Sequence, residues 1–103
     1  MLSHDLWLTI FVLIDCYKPL QQYTQNGDLD MPGEERSIEH GVEDCQSRCR
    51  DAVNCSYFTF FLSDSTCHLQ NSTAKIHSAY TLGLRIMTLA GPNTCDQGIF
   101  HLF

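Results

Sequence analysis

The chain has 103 residues, room for one domain and not two, with 12 acidic and 6 basic side chains and a net charge of −6. That balance disfavours phosphate backbones and heparin-like polyanions, so nucleic acid is not an expected partner. Six cysteines, at 16, 45, 49, 55, 67 and 95, read in so short a chain as a disulfide framework and hence as an oxidising compartment. Staples matter at this size, because a small domain leaves much of its surface uncovered. In the loop-closure account a Cys16–Cys95 bridge would add about 4–5 kcal/mol and a Cys49–Cys55 bridge about 2–3 kcal/mol.

Residues 1–15 hold the apolar run Leu6 to Ile14, of signal-peptide length and too short to span a bilayer. No Lys or Arg precedes it, Asp5 does, and no pair of small residues offers a cleavage site before Cys16. A signal peptide, a first strand and the start of a fragment of a longer gene product all remain open here. Residues 16–41 read as loop-rich, with turn signals at Lys18-Pro19, Asn26-Gly27-Asp28 and Met31-Pro32-Gly33. Asp28, Asp30, Glu34, Glu35, Glu39, Glu43 and Asp44 concentrate acid here, with Arg36 as the nearby positive charge. Such a run is first a solvated face, and in a functional reading it steers a basic partner.

From Val42 to about Ala52 the pattern becomes helical. Val42, Cys45, Cys49 and Ala52 recur at three- and four-residue steps, while Glu43, Asp44, Ser47, Arg48 and Asp51 fall elsewhere. Gly41 is the expected N-cap, and an Asp44–Arg48 pair four apart is worth about 0.3 kcal/mol. Cys55 to Leu62 reads as a strand with apolar groups on both faces, hence central and covered on both sides. Ser63-Asp64-Ser65 turns the chain. Thr66 to Gln70 then alternates, placing Cys67 and Leu69 inward and His68 and Gln70 outward, where they are candidates to meet a ligand or solvent. Leu82 to Leu89 predicts a further strand, with Leu84 and Ile86 on one face and Gly91-Pro92 ending it. The sum is an α+β fold: an antiparallel β-sheet cradling one α-helix.

Cys45 and Cys49, four apart, leave one helix face, which looks at the sheet. Cys67 can meet Cys45 under the helix, Cys55 can close on Cys49, and Cys16 and Cys95 can tie the ends. Six cysteines allow fifteen pairings, and spacing does not choose among them.

Two sequons, Asn54-Cys55-Ser56 and Asn71-Ser72-Thr73, are candidate N-glycosylation sites. Asn71 lies in a polar stretch; Asn54 precedes a cysteine expected to be bridged. A four-ligand zinc site from Cys45, Cys49, Cys55 and Cys67 or His68 lacks the second tight pair that structural zinc sites show. No metal and no cofactor are therefore expected. His68 follows Cys67, but adjacent strand residues point to opposite faces, so they make no thiol–imidazole pair. His4, His40, His77 and His101 sit in no constellation, and no G-x-S-x-G, H-E-x-x-H or phosphate-binding glycine loop occurs. No catalytic residue is assigned, and the chain reads as a non-enzyme. The aromatic string Tyr57-Phe58-Phe60-Phe61 is core before it is a binding platform.

Val42 to Cys49, Cys55-Ser56-Tyr57-Phe58-Thr59-Phe60 and Thr66-Cys67-His68-Leu69-Gln70 together resemble an apple (PAN) domain over residues 16–95. Tyr23 with Gly27-Asp28-Leu29, and Gly91-Pro92-Asn93-Thr94-Cys95, resemble the family's opening and closing segments. A Gly at position 41 departs from the capping Ser common there. The resemblance implies Cys45–Cys67 and Cys49–Cys55 bridges, and a Cys16–Cys95 bridge where the outer pair is kept. The acidic loop and the closing segment resemble most the apple domains of apicomplexan microneme adhesins. Residues 96–103 would be a short tail.

Family members bind proteins or carbohydrates and catalyse nothing. The expectation is therefore a secreted or cell-surface adhesion module, delivered in one scenario through a secretory organelle. It would recognise a protein or glycan through its sheet face and loops, with no stable membrane span. The alternative is an apple-domain fragment of a secreted serine-protease zymogen that docks the protease to a protein cofactor. No ligand-contact residue is assigned in either case.

Overall fold

The computed structural model describes residues 16–79 and 88–95. The apolar segment 1–15, most of the predicted strand at 82–89 and the tail 96–103 lie outside the described residues.

Among the described residues seven short strands and one full helix follow in order: β1 Lys18–Pro19, β2 Gln21–Thr24, β3 Ser37–Ile38, α1 Val42–Asp51, β4 Tyr57–Phe61, β5 Thr66–Gln70, β6 Lys75–Ser78 and β7 Thr88–Pro92. Five of the strands form an antiparallel sheet in the order β1-β7-β4-β5-β3, and β2 pairs with β6 in a separate ribbon. The predicted α+β fold is present. The region expected to be loop-rich contributes three of its short strands, each two to four residues long.

Two turn signals set the path between β2 and β3. Gln25 and Asp28 exchange backbone hydrogen bonds around Asn26 (φ 54°) and Gly27 (φ 81°), the doubly left-handed geometry of a tight hairpin turn. Six residues on, Glu34 N–H donates to the Met31 carbonyl across Pro32 and Gly33, with Gly33 at φ 85°. Proline pre-sets the first central residue of this type II turn, and glycine accepts the left-handed second.

The helix starts at extended Gly41, whose carbonyl accepts from Cys45 N–H and which has no side chain to cap with. Glu43 and Asp44 in its first turn and Arg48 and Arg50 in its last match the helix dipole. It ends where Ala52 turns extended, its N–H reaching back to the Arg48 and Cys49 carbonyls. The helix packs on β4, β5 and β7. Facing it across the sheet are Phe58 and Phe60 of β4 and, in register, Leu69 and Cys67 of β5. All four are essentially without exposed surface and share one cluster with Cys45, Cys49, Cys55, Tyr17 and Met31. Burying a side chain such as Phe58, Phe60 or Leu69 stabilises by about 1.5–3 kcal/mol.

The other face of the sheet is covered as well, as the apolar content of β4 predicts. Strand β2 lies over it: Tyr23 N–H donates to Thr59 Oγ1 at 3.0 Å, and the Tyr23 ring stacks on Tyr57 at 4.2 Å. Beyond β2, residues 28–31 continue across β5, where Met31 N–H donates to the Leu69 carbonyl.

Gly91 and Pro92 end the last strand from within it, as its final two residues, opposite Phe58 and Tyr57. Gly91 leaves room for the Phe58 ring.

Candidate functional site

Three disulfides join helix, sheet and ends. Cys45 Sγ reaches Cys67 from the helix face, Cys49 closes on Cys55 across the turn that leaves the helix, and Cys16 joins Cys95. Cys45, Cys49 and Cys67 are fully buried. The sulfurs considered for a metal are thus bonded to one another. Among the described residues no group of three or more His, Cys, Asp or Glu side chains is placed to hold a metal ion.

Gln46, which carries no signal in the pattern beyond its place next to Cys45, joins three parts of the fold. Its Oε1 accepts from the Tyr17 hydroxyl at 2.9 Å, and its Nε2 donates to the Pro92 carbonyl at 3.0 Å and lies 3.3 Å from Cys95 Sγ. Burial pushes the Tyr17 hydroxyl above the ordinary tyrosine range; the Glu43 carboxylate adds to this and Arg50 opposes it. Tyr17 also meets Phe58 edge-to-face at 5.9 Å.

Arg48 does not pair with Asp44. It turns to the acidic segment instead, where Nη2 meets Glu34 Oε1 at 3.2 Å and the Glu35 carbonyl at 2.7 Å. Its Nη1 donates to Ser37 Oγ at 2.9 Å and to the Cys67 carbonyl at 3.3 Å. A planar guanidinium with five donors can satisfy this set, which an exposed partner four residues away could not outweigh. The acidic run therefore has a second cation besides Arg36, supplied by the helix.

His68 and Gln70 are not outward candidates for a ligand. They are 5% and 0% exposed. Gln70 Nε2 donates to the Leu29 carbonyl, and its Oε1 accepts from Thr59 Oγ1. His68 sits between Asp30 and Thr66. The alternation along β5 is real, but the face it points to is occupied by residues 28–31, so its polar side chains serve the interior.

The aromatic string divides by face. Phe58 and Phe60 are core, whereas Tyr57 and Phe61 are half-buried. Asn54 is exposed with φ 69°, and Cys55 beside it is bridged. Asn71 is half-buried, and its Oδ1 accepts from both the backbone and the hydroxyl of Thr73.

Among the described residues a shallow groove of about 400 Å3, lined by Tyr17, His40, Gly41, Val42, Glu43 and Asp44, lies at the start of the helix. Asp28, Glu35 and Arg36 are exposed along the acidic segment. Among the described residues no helix is long and apolar enough to cross a membrane.

Among the described residues, one helix locked by disulfides onto an antiparallel sheet defines a small, covalently stapled α+β domain. The chain belongs to the PAN domain family, whose model matches residues 16–95. No curated protein matches it significantly. PAN (apple) domains are typically extracellular modules for binding protein or carbohydrate.

Proposed function

We propose that this chain is a secreted or cell-surface recognition module that binds a protein or glycan and catalyses nothing. The observation that carries this reading is the closed frame: three disulfides and two covered sheet faces leave a rigid outer surface that needs little ordering on association. Because the sheet face is filled, contact falls to the loops around the start of the helix and to the acidic segment, which favours a basic patch on the partner. Nearer kinship with microneme adhesins rests on the acidic loop and the closing Gly-Pro-Asn-Thr-Cys. Asn71 is the favoured N-glycosylation site and Asn54 the lesser one, next to a bridged cysteine.

The test is binding of the oxidised chain, secreted from a eukaryotic host, to a glycan array and to intact cell surfaces. Saturable binding that weakens with salt and vanishes after reduction and alkylation supports the reading. Absence of binding by a protein with all three bridges mapped overturns it.

A further inference from the structure

Four side chains form a continuous polar chain at the edge of the sheet. Asp30 Oδ1 lies 2.8 Å from His68 Nδ1, His68 Nε2 lies 3.1 Å from Thr66 Oγ1, and Thr66 Oγ1 lies 2.8 Å from Asp64 Oδ1. Each contact needs one proton between its two heavy atoms. A carboxylate only accepts, and a hydroxyl has a single proton to give. Thr66 Oγ1 lies closer to Asp64 Oδ1, at 2.8 Å, than to His68 Nε2, at 3.1 Å, so that hydroxyl proton is spent on Asp64. Thr66 Oγ1 then has only lone pairs left for His68, and Nε2 must carry a proton. Nδ1 must carry another to meet Asp30. Both ring nitrogens are donors, which only the imidazolium satisfies.

The geometry points to His68 as a proton-operated latch: as imidazolium it clasps residues 28–31 to β5 through Asp30, and loss of its proton loosens that segment. A neutral ring keeps one N–H and must give up either Asp30 or the Thr66–Asp64 chain. Its bond to Asp30, if kept, loses half of its charge assistance. Two neutral bonds still tie the segment to β5, from Met31 N–H to the Leu69 carbonyl and from Gln70 Nε2 to the Leu29 carbonyl, and the Met31 side chain stays in the core. Deprotonation therefore makes opening easier without unfolding the domain. The segment carries Asp28 and Asp30 and leads to Glu34 and Glu35, so the latch governs how the acidic surface is presented.

The neighbours of His68 set the sign. Residues 28–31 bring Asp30, and the β4–β5 turn brings Asp64, both anionic. Strand β4 brings Thr59 in register and the Phe61 ring edge at 5.2 Å, neither of which titrates. After β3 comes Glu39, whose carboxylate accepts from Ser37 Oγ. The helix brings Arg48, held on the Cys67 carbonyl and paired with Glu34. On the β2–β6 ribbon Lys75 and His77 are exposed, with His77 Nε2 on Thr24 Oγ1. The two nearest charges are negative, so the protonated ring is the form that clasps and the latch loosens once that proton is lost.

The experiment is ring 15N NMR of His68 in the intact oxidised chain from about pH 5 to 8, with amide hydrogen exchange at Met31 over the same range. The expected result is a doubly protonated ring at the acid end. Met31 protection, after correction for the intrinsic rate, then falls about tenfold as the ring loses its proton, the factor for one charge-assisted bond. Asp30→Asn, at a partly exposed position, should abolish that pH dependence while leaving the disulfide map intact; His77→Gln should leave it unchanged. A neutral His68 tautomer throughout, or flat Met31 protection while the ring titrates, would overturn the latch.

Discussion

Gln46 Nε2 donates to the Pro92 carbonyl at 3.0 Å while its Oε1 takes the Tyr17 hydroxyl, so one buried amide joins the helix to both ends of the described chain. Gln46→Ala leaves that hydroxyl and that carbonyl without a partner in a dry setting. The expected cost is about 1–3 kcal/mol. In thermal unfolding this reads as a drop of about 4–8 °C per kcal/mol. Gln46→Glu keeps the acceptor for Tyr17 but removes the donor for Pro92, and should not rescue.

Gly91→Ala should destabilise, although alanine usually improves on glycine within a strand. A Cβ at 91 would lie 3.2 Å from the Cys16 carbonyl oxygen and 3.2 Å from the Phe58 ring. The first is backbone beside a bridged cysteine and the second is a fully buried ring, so neither gives way easily. Overpacking of this kind costs about 1–3 kcal/mol, measurable by denaturant titration as a lowered midpoint at unchanged slope.

Thr88→Val should work in the opposite direction. Among the described residues the buried Thr88 hydroxyl has no hydrogen-bond partner, and valine has nearly the same shape without the polar atom. A gain of about 1 kcal/mol in stability is expected. A loss of stability in the same unfolding assay would show that the hydroxyl is satisfied in solution.

Asp64 should titrate below an ordinary aspartate. Its oxygen accepts from the Thr66 hydroxyl, the main cause; burial opposes this, and the backbone N–H groups of Thr66 and Asp64 and the charge of His68 add to it. A depressed folded value contributes stability above the unfolded carboxylate range, and that contribution disappears as pH falls through the lowered value. Carboxyl 13C NMR of the Thr66→Val variant should show Asp64 moving back up. No upward movement would mean that the hydroxyl is not the cause.

Helix, hairpin and sheet were legible in the residues because each rests on a short-range pattern. The Val42, Cys45, Cys49, Ala52 stripe needs only the helical repeat, and the helix covers Val42–Asp51. The β4–β5 hairpin needs only two apolar runs around Ser63-Asp64-Ser65. The turns at Asn26-Gly27 and Pro32-Gly33 need only the backbone freedom of glycine and the restriction of proline. Six cysteines in a small acidic chain also point to a disulfide framework without reference to any contact.

What lies on each face of β5, by contrast, is a long-range matter. Period-two alternation says that His68 and Gln70 share a side, not that a segment some forty residues earlier covers that side. The same holds for Arg48, which answers Glu34 and Ser37 rather than the nearer Asp44, and for Gly91, whose missing side chain makes space for Phe58. Spacing leaves fifteen ways to pair six cysteines. The pairing seen here follows from which sulfurs the helix and sheet bring within bonding reach. Local pattern encodes backbone conformation because its forces act over a few residues. Partner choice depends on packing between segments far apart in the chain, and packing exists only once the fold has closed.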